Sequence, residues 1–205
     1  MSPEDRQLLC GVVLAGGLAR RMGGQDKGLV KLGSHPMVSY VLARLAPQVG
    51  DLVINANRSR DRYQAFGYPV IADSVGDYSG PLAGMASAMA HTDRPLLLTA
   101  PCDTPLLSEQ LAERLLAALR EQDGEIAVAH DGSRLQPVFA LLDVTLLSSL
   151  QEYLAAGERK IDRWYADHRL ATADFSDQRD AFLNVNTVEE RDSLLARLEG
   201  LAPCP

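Results

Sequence analysis

The chain has 205 residues, a formal net charge of −7, 46% hydrophobic residues and 23% charged residues. That length can bury a full core, no Pro/Ser/Gly-rich linker divides it, and a single domain over 1–205 is expected. The acidic balance argues against nucleic acid, which needs a basic face, and no run approaches the ~18 apolar residues of a membrane span, so no membrane partner is expected.

Taken in order, the polar start Met-Ser-Pro-Glu-Asp-Arg is unlike a signal peptide. Cys10, Cys102 and Cys204 lie far apart without metal-ligand spacing, which fits a reducing cytoplasm. The apolar run Leu8 to Val13 reads as a buried first strand, with Cys10 a buried thiol. A loop follows that carries Gly16, Gly17, Gly23 and Gly24 together with Arg20, Arg21 and Lys27. Glycines let backbone N–H groups approach an anion, and the cations neutralise it. The loop lacks both the Gly-Lys-Ser/Thr of a Walker loop and the Gly-x-Gly-x-x-Gly of a dinucleotide site, which suggests a phosphate site of a third kind.

Gly28 to Leu32 is short and β-like, Gly33 to Pro36 a turn, and Met37 to Leu45 a helix with apolar residues at helical spacing. Asp51 to Asn55 is a second strand, Ser59 to Phe66 a short polar helix, and Pro69 to Ala72 a third strand. Gly80-Pro-Leu-Ala-Gly84 opens a helix to about His91 with a face of small residues. Leu96 to Ala100 is a fourth strand, and Ser108 to Arg120 an amphipathic helix with Ser108 as N-cap. The pattern then changes to a hairpin, Ile126 to His130 and Gln136 to Leu142, joined through Asp131-Gly-Ser133. Helices at Leu146 to Ala155 and about Ile161 to Asp167 precede an edge strand at Leu170 to Phe175. A short strand at Phe182 to Val185 and a helix at Thr187 to Leu198 complete the pattern. Alternating strands and helices predict an α/β fold, a mostly parallel sheet covered on both faces, with antiparallel strands appended.

Polar residues gather where strands end: Leu14 to Gly17, Asn55 to Arg58, Asp73, and Cys102 to Pro105. Ligands of open parallel sheets bind outside those ends. Asn57 and Asp77 read as turn or capping residues. Asp103 directly follows an apolar strand, so its carboxylate is presented and suits Mg²⁺, which takes few protein ligands.

Leu14-Ala-Gly-Gly with Arg20-Arg-Met-Gly-Gly-x-Asp-Lys-Gly28 resembles the signature of the molybdenum cofactor guanylyltransferases. So do Asn55-Ala-Asn57, Asp73, Gly80 to Gly84, Pro101 to Pro105, His130 to Gly132, Gln136-Pro137, Ala156 to Arg159 and Phe182 to Thr187. The resemblance implies a Rossmann-like three-layer α/β/α sandwich that joins GTP to a molybdopterin phosphate. The products are the guanine dinucleotide cofactor and pyrophosphate, formed with Mg²⁺ (Mn²⁺ substituting). It implies nucleotide contacts at Leu14, Ala15, Gly16, Gly17, Lys27, Asn55, Asp73, Gly84 and Asp103, with Asp103 the metal ligand. Residues 8–120 then form the nucleotide half and 121–200 the acceptor half, where Arg159, Lys160, Asn184 and Asn186 would meet the molybdenum-molybdopterin. A monomer making transient contacts with cofactor-delivery proteins and molybdoenzymes is expected. One departure is Ser34-His-Pro36, where relatives often carry Gly-Lys-Pro; if that lysine helps hold an anion, a histidine in its place does so only weakly.

The chemistry fits these residues. An attacking phosphate oxygen is already ionised, so no general base is needed, and His35, His91, His130 and His168 read as structural or exposed. What is needed is charge stabilisation at the α-phosphate and the leaving pyrophosphate, which Arg20, Arg21, Lys27 and an Asp103-bound Mg²⁺ can supply. Asp73 or Asp77 could accept the guanine N1–H and N2–H₂ donors. The alternatives are a relative using CTP or a sugar-phosphate acceptor, or a non-catalytic nucleotide or pterin carrier.

Overall fold

The apolar first strand becomes the spine of a seven-stranded sheet. In the computed structural model the described residues are 1–15, 18, 19, 25–74, 80–185, 187, 190, 194 and 195. β1 (Leu9–Leu14) is flanked in parallel by β6 (Asp51–Asn55) and β8 (Leu96–Pro101), and β6 pairs in parallel with β7 (Val70–Ile71). On the other side β10 (Leu135–Asp143) runs antiparallel to both β8 and β9 (Ile126–His130), and β11 (Leu170–Asp174) closes the edge in parallel with β9. The order is β11-β9-β10-β8-β1-β6-β7, and two small pairs, β2–β3 (Leu18–Ala19 with Gln25–Asp26) and β4–β5 (Lys31–Leu32 with His35–Pro36), stand apart.

Alternation along the buried strands splits the core in two. Leu9 and Val13 face a layer built on α2 (Met37–Leu45), α3 (Arg60–Gln64) and α5 (Leu111–Glu121). Cys10 and Val12 face α4 (Pro81–His91), α6 (Leu147–Ala155) and α7 (Ile161–Ala166). This is the expected three-layer α/β/α arrangement, and Cys10 is buried as expected. A third cluster of Val30, Leu32, Met37 and Tyr40 takes Val185 and Leu194, seating the last described residues beside α2.

Several local expectations are corrected. α1 (Pro3–Gln7) was not expected; the Ser2 hydroxyl accepts the Asp5 N–H at 3.0 Å and the Asp5 carboxylate takes the Ser2 N–H, a capping box. Gly28 to Leu32 is not one strand: Lys27–Leu29 is a 3₁₀ turn closed by Val30 N–H on the Lys27 carbonyl, and the expected turn residues His35–Pro36 pair as β5. Ser108 does not cap α5 directly. Its hydroxyl accepts the Gln110 N–H at 3.1 Å and donates to Gln178 at 2.6 Å, while the buried Gln48 amide oxygen receives the Ala112 N–H at 2.9 Å. Phe182 to Val185 is not a strand; Arg179–Phe182 is a 3₁₀ turn, after which the Val185 N–H donates to the Asp103 carbonyl. Much of the helix expected from Thr187 lies outside the described residues.

The antiparallel insertion carries a bulge. Pairing of β10 with β9 shifts between Gln136 and Ala140, which turns Val138 toward the parallel strand ends, where it lines a cavity. Thr99 Oγ1 donates to the Val138 carbonyl at 2.6 Å and accepts the Ala140 N–H at 3.3 Å, and the buried Tyr165 hydroxyl donates to the Pro137 carbonyl at 2.8 Å. Polar groups opened by the bulge are therefore met from β8 and α7.

Candidate active site

The carboxyl ends of β1, β6, β7 and β8 open on a cavity of about 410 Å³. Its walls are Leu14, Ala15, Asn55, Asn57, Asp73, Gly80, Pro81, Pro101, Asp103, Val138 and Asn184. It lies where the strand order reverses, the chain running from β1 to β6 and β7 on one side and then returning through α4 to β8 on the other, the place where open α/β sheets bind ligands. A larger groove of about 770 Å³ near Arg44, Gln110 and Arg179 holds none of the strand-end groups.

Asp103 is buried beside the buried Cys102, whose thiol burial pushes well up and keeps protonated. The Lys27 ammonium is ion-paired with Asp103 Oδ2, both side chains being mostly buried. A cation from the loop after β1 and a carboxylate from the end of β8 thus meet at one edge of the cavity. Across from them, the Asp73 carboxylate is held by two amides: Asn55 Nδ2 donates to Oδ1 at 2.9 Å and Asn57 Nδ2 to Oδ2 at 2.8 Å. The Asp73 N–H donates back to Asn57 Oδ1 at 2.8 Å. Asn57, expected as a turn or capping residue, instead fixes a strand-end carboxylate and lines the cavity.

Gly84 does not line the cavity but shapes its wall. A Cβ there would lie 2.4 Å from Asn55 Oδ1 and 2.7 Å from Leu14 Cδ2, so only glycine lets α4 pass so close to these two side chains. Gly80, at φ +79°, and Pro81 begin α4 at the cavity rim.

The remaining expected site residues separate into three groups. Gly16, Gly17, Arg20, Arg21, Asp77 and Asn186 lie outside the described residues. Asn184 joins the cavity wall. Arg159 and Lys160 do not: the Arg159 guanidinium donates to the Leu154 carbonyl at 2.8 Å and the Glu158 carbonyl at 2.6 Å, closing the end of α6, and the Lys160 carbonyl accepts the Tyr153 hydroxyl. No histidine enters the cavity lining. His130 accepts the Gly132 N–H, His168 meets Ser149 and stacks edge-on to Trp164, His35 lies edge-on to Tyr40, and His91 is exposed at the end of α4.

Sequence reasoning missed the pair that underlies the Lys27 turn. The fully buried Tyr63 of α3 donates its hydroxyl to Asp26 Oδ1 at 2.5 Å. Burial raises the Asp26 carboxyl above its usual range, opposed by the Tyr63 hydroxyl, the Gly28 N–H and Ser59; burial likewise raises the Tyr63 phenol. The signal was a lone tyrosine in an otherwise polar helix, an apolar body with one polar tip.

No group of three His, Cys, Asp or Glu side chains among the described residues could hold a metal. Asp103 offers a single hard carboxylate. Such a donor set does not fit a closed transition-metal centre but fits Mg²⁺, which is held by one or two carboxylates and completes its shell with water and phosphate oxygens.

A family model described as the MobA-like NTP transferase domain matches residues 11–172. The molybdenum cofactor guanylyltransferase of Shewanella loihica is 52% identical over 194 residues, covering 95% of this chain and 97% of its own. That of Shewanella halifaxensis is 54% identical over 183 residues, 89% of this chain and 92% of its own. Among solved structures, molybdopterin-guanine dinucleotide biosynthesis protein A from Archaeoglobus fulgidus superposes with a TM-score of 0.75 at 20% identity, covering 93% of this chain and 99% of that one. At that identity the superposition speaks for the fold.

Proposed function

The chain belongs to the MobA-like NTP transferases, and we propose from this that it transfers GMP from GTP to the phosphate of molybdenum-molybdopterin, releasing pyrophosphate. The observation that carries the reading is the Lys27–Asp103 ion pair at the edge of a cavity walled by Leu14, Ala15, Asn55 and Asp73.

In this reading the nucleoside lies along Leu14 and Ala15 against Asn55 and Asp73. Each Asp73 oxygen keeps acceptor capacity beyond its bond to an asparagine amide, and so can take the guanine N1–H and N2–H₂ donors. Lys27 and Asp103 hold each other until the triphosphate arrives. Lys27 then turns to the phosphates, and the freed Asp103 would hold Mg²⁺, or Mn²⁺ in its place, which would supply neutralisation of developing phosphate charge. An acceptor phosphate oxygen forms its bond to the α-phosphorus as the α-phosphorus bond to the pyrophosphate oxygen breaks. The attacking oxygen carries no proton, which accords with a cavity that no histidine lines. Lys27, joined by Arg20 and Arg21, stabilises the departing pyrophosphate, and Gly16 and Gly17 bring backbone N–H groups to the same phosphates.

We read the chain as one domain, residues 8–120 holding the nucleotide and 121–200 the acceptor. Support comes from Val138 and Asn184, which close the cavity from the later part of the chain. Asn184, with Asn186, is the favoured acceptor contact. Arg159 and Lys160 would reach it only by leaving the positions described above. We read the protein as a monomer. No helix among the described residues is long and apolar enough to cross a membrane. Work in the cytoplasm, with transient contact with delivery proteins and molybdoenzymes, completes the proposal.

Pyrophosphate release should require GTP, Mg²⁺ and molybdenum-molybdopterin together. Release that proceeds equally with CTP would move the assignment to a cytidylyl-transferring relative, and no release with either would favour a carrier. In crystals soaked with GTP and Mn²⁺, density should bridge Asp103 and the phosphates.

A further inference from the structure

Three consecutive residues, Asp26, Lys27 and Gly28, alternate in the direction they are held. Asp26 is only 8% exposed and accepts the Tyr63 hydroxyl at 2.5 Å, while its Oδ2 is buried without a hydrogen-bond partner. Gly28 is buried so tightly that a Cβ would sit 2.6 Å from the Tyr63 hydroxyl oxygen and 3.1 Å from the Cys102 Sγ. Between them Lys27 is turned the other way, onto Asp103. Tyr63 itself is fully buried in the layer between α2, α5 and the sheet, so it cannot move without disturbing that core.

We propose that Tyr63 is a positioning residue for the transfer reaction: its hydroxyl, through Asp26, fixes the turn that aims the Lys27 ammonium at Asp103 and the phosphates. The physical case is one of rigidity. Lys27 has a long stem that can point in many directions, and a turn of two to three residues offers little to restrain it. A short hydrogen bond from the rigid ring of a core tyrosine supplies that restraint at the residue immediately before it. Gly28 adds the close backbone approach that brings the turn down onto the Tyr63 oxygen. A displacement of about 1 Å in a group that stabilises a transition state costs up to ~10²-fold in rate.

The inference rests on the guanylyl-transfer reading for its kinetic test, so a second readout is independent of it. Lys27, Lys31 and Lys160 are the chain's lysines, which makes ¹³C-dimethyl-lysine NMR simple to assign. Tyr63→Phe keeps the ring and removes the hydroxyl. In that variant the Lys27 resonance should move toward those of the surface lysines, whether or not the protein transfers guanylyl groups. An unmoved resonance in a folded variant would overturn the proposal.

In the transfer assay Tyr63→Phe should lower kcat by about 10- to 100-fold, with the GTP KM changed by less than about three-fold. The decisive comparison is made in the Lys27→Ala background. There the same substitution should change kcat by less than about two-fold, because the group it aims is gone. Multiplicative losses in the two backgrounds would mean that Tyr63 acts on the fold and not through Lys27. If Tyr63→Phe proves too unstable to purify, Asp26→Asn keeps the acceptor for Tyr63 and should retain activity within a few-fold, whereas Asp26→Ala should match the Tyr63→Phe loss. Equal losses in the Asn and Ala variants would overturn the proposal. A wild-type protein without transfer activity but with the NMR behaviour described would instead refute the function while leaving the positioning geometry standing.

Discussion

Replacing Gly84 by alanine tests whether the cavity wall depends on close passage of α4. The new Cβ would be 2.4 Å from Asn55 Oδ1, 3.0 Å from Asn55 Cγ and 2.7 Å from Leu14 Cδ2. The first of these is about 1 Å short of an ordinary contact. Leu14 can turn its terminal methyl aside, but Asn55 is 4% exposed and tied by its amide to Asp73. The amide must therefore yield, and a hydrogen bond to a carboxylate worth about 1.5–3 kcal/mol is strained or lost. Overpacking adds about 1–3 kcal/mol, and the gain in helix propensity returns about 1 kcal/mol. A net loss of about 2–4 kcal/mol should lower the melting temperature by roughly 5–12 °C in a chain of this size. The displaced wall belongs to the nucleotide side, so the stabilisation of the protein by GTP should shrink as well. Paired thermal melts of the two proteins, with and without GTP and Mg²⁺, read both effects. A variant that melts within 1 °C of the wild type and is stabilised equally by GTP would refute the reasoning.

Three further outcomes are expected. Lys27→Ala should lower the single-turnover rate by ~10²–10³ and, by freeing Asp103 of its cation, make Mg²⁺ a stronger thermal stabiliser than in the wild type; an unchanged rate would count decisively against the assigned site. GTP should raise the melting temperature far more than CTP at equal concentration, and equal protection would argue against a guanine-selective cavity. Asp131, whose carboxylate collects the Ser133 hydroxyl and N–H, the Arg134 N–H and the Gln136 amide, has its carboxyl held below the ordinary range by those bonds, that from the Ser133 hydroxyl first. Its contribution is then complete above the unfolded value of about 4 and fades as pH falls toward the folded one. The urea-midpoint deficit of Asp131→Ala should therefore be full at pH 7 and shrink below about pH 4; a constant deficit would show that the charge is not involved.

The layered sheet was legible because its causes are local and repetitive. Runs such as Leu9 to Val13 and Ile126 to Ala129 have no polar interruption, and their flanking helices carry apolar residues at helical spacing. The strand-end carboxylates Asp73 and Asp103 were legible for a related reason, since each directly follows an apolar stretch. What was hidden depends on partners distant in sequence. Gln48 completes the start of α5 from sixty-four residues away, which made Ser108 look like the nearer cap. Thr99 and Tyr165 hold the β10 bulge, so nothing in Gln136 to Ala140 itself announces that Val138 turns to the cavity. Tyr63 looked like part of a short polar helix because its acceptor, Asp26, is supplied by another loop. The Ser2–Asp5 capping box is a different case: its spacing was in plain view, but five residues carry too little periodicity to mark a helix.

The insertion of β10 between β8 and β9 also bears on how the molecule is made. As the chain leaves the ribosome, β8 is complete at Pro101, but the strand that covers its outer edge begins only at Leu135. At roughly 5–20 residues per second that edge waits for several seconds. An apolar strand with an open edge is a template for pairing with another chain. β9 arrives first but bonds to β10 and not to β8, so it cannot cover that edge alone and joins the sheet through β10, its partner in the hairpin. The tight Asp131 turn at its tip thus limits the time a half-built sheet stands open to its neighbours.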